Sequence, residues 1–316
     1  MAEPDRAGSR LPIEDAAREQ LMVRIARMAF LEDATQTEIA RATGLNRWQV
    51  SRLLAEARET GIVQIRIVPK SGRHPDLEYQ LKQAFGLTDV VIVSEGVPDA
   101  AGRYLATLNP KTLGVSWGRT MSAVADALPN DWADGVEVVQ INGTVPPIPQ
   151  EKHHNDVAAS FAVKGAGHFV PLPVPAIVGA SETRRVLESD RIVSRVIDQA
   201  RQAQYLVFSL GAAVGSALLK SGNIETTEYD ALIASGAVGD VLGRFVDRDG
   251  AIVDPELDLR TIGLEFDDLR QSQTVAIAHG EGKKNIVLAA LRAGVIKTLI
   301  TDADTAAFVL EHKDDN

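Results

Sequence analysis

The chain has 316 residues, 45% of them hydrophobic, and a formal net charge of −10, a length that suits one small domain and one large one. It has no cysteine, which excludes a disulfide framework, a thiolate metal site and a cysteine nucleophile. No apolar run approaches 18 residues, so no membrane partner is expected and a cytoplasmic location is.

The charge is unevenly spread. Residues 1–68 hold ten Arg and ten Asp or Glu, whereas residues 77–316 hold 21 Lys or Arg against 32 acids. The acidity therefore belongs to the larger part, and the neutral N-terminal part remains free to meet a polyanion. Ile13 to Leu31 reads as a helix with Leu21, Ile25, Met28 and Ala29 on its apolar face. Thr35 caps a second helix, Gln36 to about Ala42, with Glu38 completing a capping box. Gly44 supplies the turn, and Asn46 caps a third helix, Arg47 to about Glu59. "IVQIRIV", 62–68, alternates like an exposed strand, and "PKSGRHPD", 69–76, reads as a linker.

"QTEIARATGLNRWQVSRLLA" places a small residue (Ala40), a turn glycine (Gly44) and apolar Ile39, Leu45, Val50 and Leu53 in one short window. That spacing resembles a helix-turn-helix, within a DNA-binding domain of residues 13–68. Asn46, Arg47, Trp48, Gln49, Ser51 and Arg52 are the candidates to face base edges, since Arg and Gln have bidentate options to guanine and adenine. Thr35, Gln36 and Thr37 are candidates for phosphate.

Beyond the linker, apolar runs at 90, 113, 136, 205, 274 and 298 alternate with helical patterns at 119–128, 152–164, 282–293 and 303–312. Such alternation predicts an α/β domain, residues 77–316, with a mostly parallel sheet. In "KTLGVSWGRTMSAVADAL" a strand ends in a Gly turn that opens a helix, a layout that holds an anion on free N–H groups. Gly114, Ser116, Gly118, Arg119 and Thr120 are its candidate ligand residues, and Asn142, Gly143 and Thr144 close a second strand. Asp240 and Asp247 could accept sugar hydroxyls, and Arg244 lies between them. Lys283 or the adjoining Lys284 could add a cation. His153-His154 does not read as a metal pair, because adjacent helical residues point apart.

"LGVSWGRT", "VVQING", "GAVGDVLGRFVDRDG", "LRTIGL" and "LAALRAGVIKTLITDADTA", in this order, resemble the SorC family of sugar-binding transcriptional regulators, over about residues 15–312. The resemblance implies a winged helix-turn-helix followed by an effector domain like sugar-phosphate isomerases and deaminases. It implies three kinds of partner: a double-stranded DNA operator, a phosphorylated sugar or polyol effector, and copies of the chain in a dimer or tetramer. It favours Lys283 over Lys284, implies neither cofactor nor metal, and makes His279 a departure from the family's usual glycine. An active isomerase or deaminase is the alternative, but no motif fixes a catalytic base.

Overall fold

A computed structural model describes residues 12–63, 72–146, 156–214, 216–220 and 224–315. Its contacts separate two compact units, Met1–Ile67 and Val68–Asn316. The first holds α1 (Pro12–Phe30), α2 (Gln36–Thr43) and α3 (Arg47–Glu59). Thr35 and Glu38 form the expected capping box, and Gly44 closes α2 at φ 71°, a left-handed backbone that glycine adopts without a Cβ penalty. Ile25, Ile39, Val50 and Ala57 are fully buried between the three helices.

Two expectations shift here. The face α1 buries is Met22, Ile25 and Ala26, with Leu21, Met28 and Ala29 only half-buried. The Arg18 guanidinium also pairs with Glu56 of α3 at 2.7 Å. Of the expected strand 62–68, Ile62 and Val63 pack on the core as a bend, and residues 64–68 lie outside the described residues.

The second unit continues with α4 (Pro75–Phe85), β1 (Asp89–Val93), α5 (Val97–Leu108), β2 (Thr112–Val115), α6 (Arg119–Ala127) and β3 (Glu137–Gln140). Then come α7 (Val157–Lys164), β4 (His168–Val170), α8 (Ser181–Ser189), α9 (Arg191–Arg201) and β5 (Tyr205–Ala212). After them follow α10 (Ala217–Lys220), α11 (Thr226–Ala234), β6 (Gly239–Val241), β7 (Arg244–Val246), α12 (Pro255–Asp258) and α13 (Phe266–Gln271). The chain ends in β8 (Thr274–Ile277), a 3-10 turn (Glu281–Lys283), α14 (Lys284–Arg292), β9 (Thr298–Asp302) and α15 (Ala303–Glu311). The expected linker is cut short at Pro75, because its second proline is the first residue of a helix, where a missing N–H costs nothing. His153 and His154 lie outside the described residues.

The main sheet runs β1-β9-β8-β5-β2-β3-β4, all parallel, with β6 and β7 added antiparallel beyond β5. Alternate side chains point to opposite faces. Val90, Ile92, Leu206 and Phe208 therefore enter one core with α4, α9, α14 and α15, while Val91, Val93, Val207 and Val115 enter another with α5, α6 and α7. A third cluster joins Leu218, Tyr229, Leu232, Phe245 and Leu257 from α10, α11, β7 and α12. Helix α8 buries no residue of its own. The order matters for function: from β2 the chain moves outward to β3 and β4, and from β5 to β8 and β9. Adjacent β2 and β5 thus form a switch point, where α/β sheets bind ligands beyond the strand ends.

Candidate functional site

A cavity of about 280 Å³ opens at that switch point. Ser116, Trp117, Gly118, Arg119 and Thr120 line it from the β2–α6 connection, and Asn142 from the end of β3. Ser209, Leu210, Gly211 and Ala212 come from β5, Ser216 from just before α10, Leu218 from α10, and Asp240, Leu242 and Gly243 from the β6–β7 hairpin. His279 and Lys283 close it after β8.

The N-terminus of α6 begins at Gly118 with no side-chain cap, so its first-turn N–H groups have no intrahelical acceptor. Lys283 reaches across β5 to that helix start. Its Nζ donates to Thr120 Oγ1 and to Ser209 Oγ, each at 2.9 Å. An ammonium has three donors, and among the described residues the third has no hydrogen-bond acceptor. Burial pushes Lys283 down to about 8, with Asp240 opposing and Arg119 adding to the fall. Lys284 pairs instead with Glu281 at 2.5 Å.

Asp240 is 8% exposed. Its Oδ2 accepts the Gly243 N–H at 2.9 Å. Its other oxygen packs over Gly211, the residue it pairs with across β5 and β6, where an added Cβ would come within 1.9 Å. Burial raises the Asp240 carboxyl to about 6, against the pull of the Gly243 N–H and Lys283. The two-residue hairpin loop holds Leu242 at φ 53° and Gly243 at φ 91°, as a tight turn between twisted strands requires. Burial, then Lys283, lowers the His279 pKa against the pull of Asp302, which favours the neutral imidazole. Trp117 Nε1 donates to the Gly143 carbonyl at 2.6 Å.

Ser116, Gly118, Arg119, Thr120, Asn142, Asp240 and Lys283 therefore meet in one cavity, and five other sequence candidates do not line it. Gly114 is a packing glycine inside β2, where a Cβ would come within 2.5 Å of Leu206. Gly143 and Thr144 spend their N–H groups on the Ile262 and Val174 carbonyls. Arg244 is only 2% exposed and points away, its Nε 3.1 Å from Asp258 Oδ1. Asp247 folds its own turn by accepting the Asp249 and Ala251 N–H groups. Ser209, Ser216, Leu218 and Leu242 went unforeseen. The one signal for Ser209 is an aliphatic hydroxyl set among the apolar residues of "YLVFSL".

In the N-terminal unit, Thr35, Gln36, Thr37, Asn46, Arg47, Trp48, Gln49, Ser51 and Arg52 are all exposed. Trp48 is 68% exposed, and the Arg52 guanidinium lies 5.6 Å from its ring centre. Asn46 and Gln49 form a second capping box: each side-chain oxygen accepts the other's backbone N–H at 2.9 Å. Their amide oxygens thus serve α3, and only their NH2 groups remain for another partner.

A family model for a sugar-binding domain matches residues 70–311. The chain is 33% identical over 307 residues to the deoxyribonucleoside regulator of Bacillus subtilis, covering 92% of this chain and 97% of that one. It is 30% identical over 320 residues to the sorbitol operon regulator of Klebsiella pneumoniae, covering 92% and 98%. The crystal structure of that full-length regulator, SorC, superposes with a TM-score of 0.68 at 29% identity, covering 93% of this chain and 99% of that one. Among the described residues no helix is long and apolar enough to cross a membrane.

Proposed function

Because this chain belongs to the SorC family of sugar-binding transcriptional regulators, we propose that its cavity binds a phosphorylated sugar or polyol that governs how α2 and α3 hold operator DNA. The chain is a regulator and not an enzyme, as its relatives are. The observation that carries the effector reading is Lys283. A half-buried ammonium, with one donor spare, stands beside the uncapped start of α6. Free N–H groups, a helix dipole and a cation together suit a phosphate dianion.

The DNA reading rests on the exposed face of α3. Arg47, Ser51 and Arg52 offer donors to bases or phosphate, and Trp48 offers a flat apolar surface beside them. Asn46 and Gln49 act first by starting the helix. Two such helices, about one turn of DNA apart, would read a two-fold site, so the working form is at least a dimer and, by family likeness, a tetramer. The effector shifts DNA affinity only as far as it binds the DNA-competent and incompetent states differently.

The test is a titration of the full-length protein with sorbitol, erythritol and deoxyribose and with the monophosphate of each. Trp117 fluorescence reports the cavity and a gel shift reports operator binding. The reading expects a phosphate to bind at least tenfold tighter than its parent sugar and to change the operator shift. Equal affinities for every sugar and its phosphate refute it.

A further inference from the structure

We propose that the cavity selects monophosphates whose far end is uncharged, with Asp240 the residue that decides against sugar acids and bisphosphates. This rests on the phosphate reading above and adds what the rest of the effector must be.

Three oxygens able to accept a hydrogen bond line the cavity without a donor among the described residues. Ser116 Oγ and Asn142 Oδ1 are buried with no hydrogen-bond partner. Asp240 has its Oδ2 on the Gly243 N–H, and its Oδ1 receives no hydrogen bond from the described residues. Gly211 below and the hairpin turn beside it hold that carboxylate in place. Unmet polar atoms in a buried site are costly: Asn142 Oδ1 and Asp240 Oδ1 call for an O–H or N–H donor, whereas the Ser116 hydroxyl can take a donor or an acceptor. A polyol or sugar hydroxyl supplies one. A carboxylate or a second phosphate at neutral pH brings acceptors only.

The charge balance agrees. Arg119 and Lys283 line the cavity together with one carboxylate, Asp240, and burial favours the neutral form of His279. One phosphate dianion already outweighs this single net positive charge. A second anionic group would have to share Arg119 and Lys283, the Lys and Arg side chains that line the cavity among the described residues, with the phosphate and would stand near a buried carboxylate. At about 280 Å³ the cavity gives a short ligand little room to turn that group out into solvent.

Matched pairs isolate this. Sorbitol 6-phosphate and 6-phosphogluconate differ only at C1, as CH2OH against carboxylate; glycerol 3-phosphate with 3-phosphoglycerate, and erythritol 4-phosphate with 4-phosphoerythronate, repeat the contrast at shorter lengths. Titrated into full-length protein at pH 7.5, the best-binding neutral member should exceed its acid partner by tenfold or more. Asp240→Asn, which keeps an acceptor for Gly243, should reduce that ratio to about threefold or less. Asn142→Asp, nearly isosteric, should widen it. Equal binding of acid and neutral partners by the unaltered protein overturns the proposal, whether or not the variants fold. An unchanged ratio in a folded Asp240→Asn protein does so too. Sorbitol binding as well as its phosphate, with gluconate still rejected, would uphold the acceptor wall and defeat the phosphate reading alone. Binding by no neutral monophosphate would defeat both.

Discussion

Replacing Lys283 by Met should stabilise the protein while blinding it to its effector. A lysine brought from 10.5 to about 8 by burial carries its charge at a cost of about 3 kcal/mol relative to water. Met fills the same space without the charge. The loss is two hydrogen bonds, to Thr120 and Ser209, each worth about 1 kcal/mol. The balance favours the variant by about 1 kcal/mol, a rise of about 2–4 °C in Tm for a unit of this size. Effector binding moves the other way. Losing one charge-assisted contact to phosphate costs about 1.5–3 kcal/mol, a tenfold to hundredfold weaker Kd. At a concentration 100 times the original Kd, a ligand stabilises by about 2.7 kcal/mol; after a hundredfold loss it gives about 0.4 kcal/mol. Differential scanning fluorimetry, with and without the best-binding sugar phosphate, reads both effects in one experiment. A variant destabilised by more than about 2 kcal/mol, or one that keeps its full ligand shift, would refute the reasoning.

Asp240, raised to about 6 from 3.8, contributes stability that is present below pH 4 and lost as pH rises through 6. Denaturant titrations at pH 4.5 and 7.5 should therefore show unaltered protein gaining about 2 kcal/mol on Asp240→Asn as pH falls. Effector affinity should decline above pH 8 as Lys283 loses its proton, a trend calorimetry would show and Lys283→Met would abolish. Gly211→Ala drives a Cβ to within 1.9 Å of the Asp240 carboxylate and should cost about 1–3 kcal/mol, together with effector binding. Arg47→Ala should weaken operator binding by about 1–3 kcal/mol with no loss of thermal stability, whereas Gln49→Ala, by opening the capping box, should lower both. Unequal effects on random and operator DNA would separate base contact from phosphate contact.

What was legible in the sequence was local. Thr35 with Glu38 and Gly44 announce α2 by short-range chemistry, and they stand as read. The 116–120 connection was visible because one strand, one turn and one helix follow without interruption. Ser209 and Leu242 were not, because only the order of strands brings β5 and the β6–β7 hairpin to that turn. Arg244 misled for a related reason. A cation in a Gly-rich stretch looks like a ligand contact, yet its place on β7 sends it inward to Asp258. Strands of three residues, such as β4, β6 and β7, are too short for periodicity to reveal. Asn46 was legible as a cap; that Gln49 would answer it was not, since the same amide also suits adenine.

The division of the chain has a consequence in time. The N-terminal unit, with a core of its own, ends near residue 67, but the cavity lacks a wall until Lys283 has been added. At about 5–20 residues per second of synthesis, those later residues take roughly 10–40 s. Throughout that interval a newborn chain can display α3 while it has nothing with which to sense a metabolite. Each newly started chain thus passes through a stage in which the N-terminal core is complete and the cavity is not. The faster the gene is translated, the shorter that interval becomes.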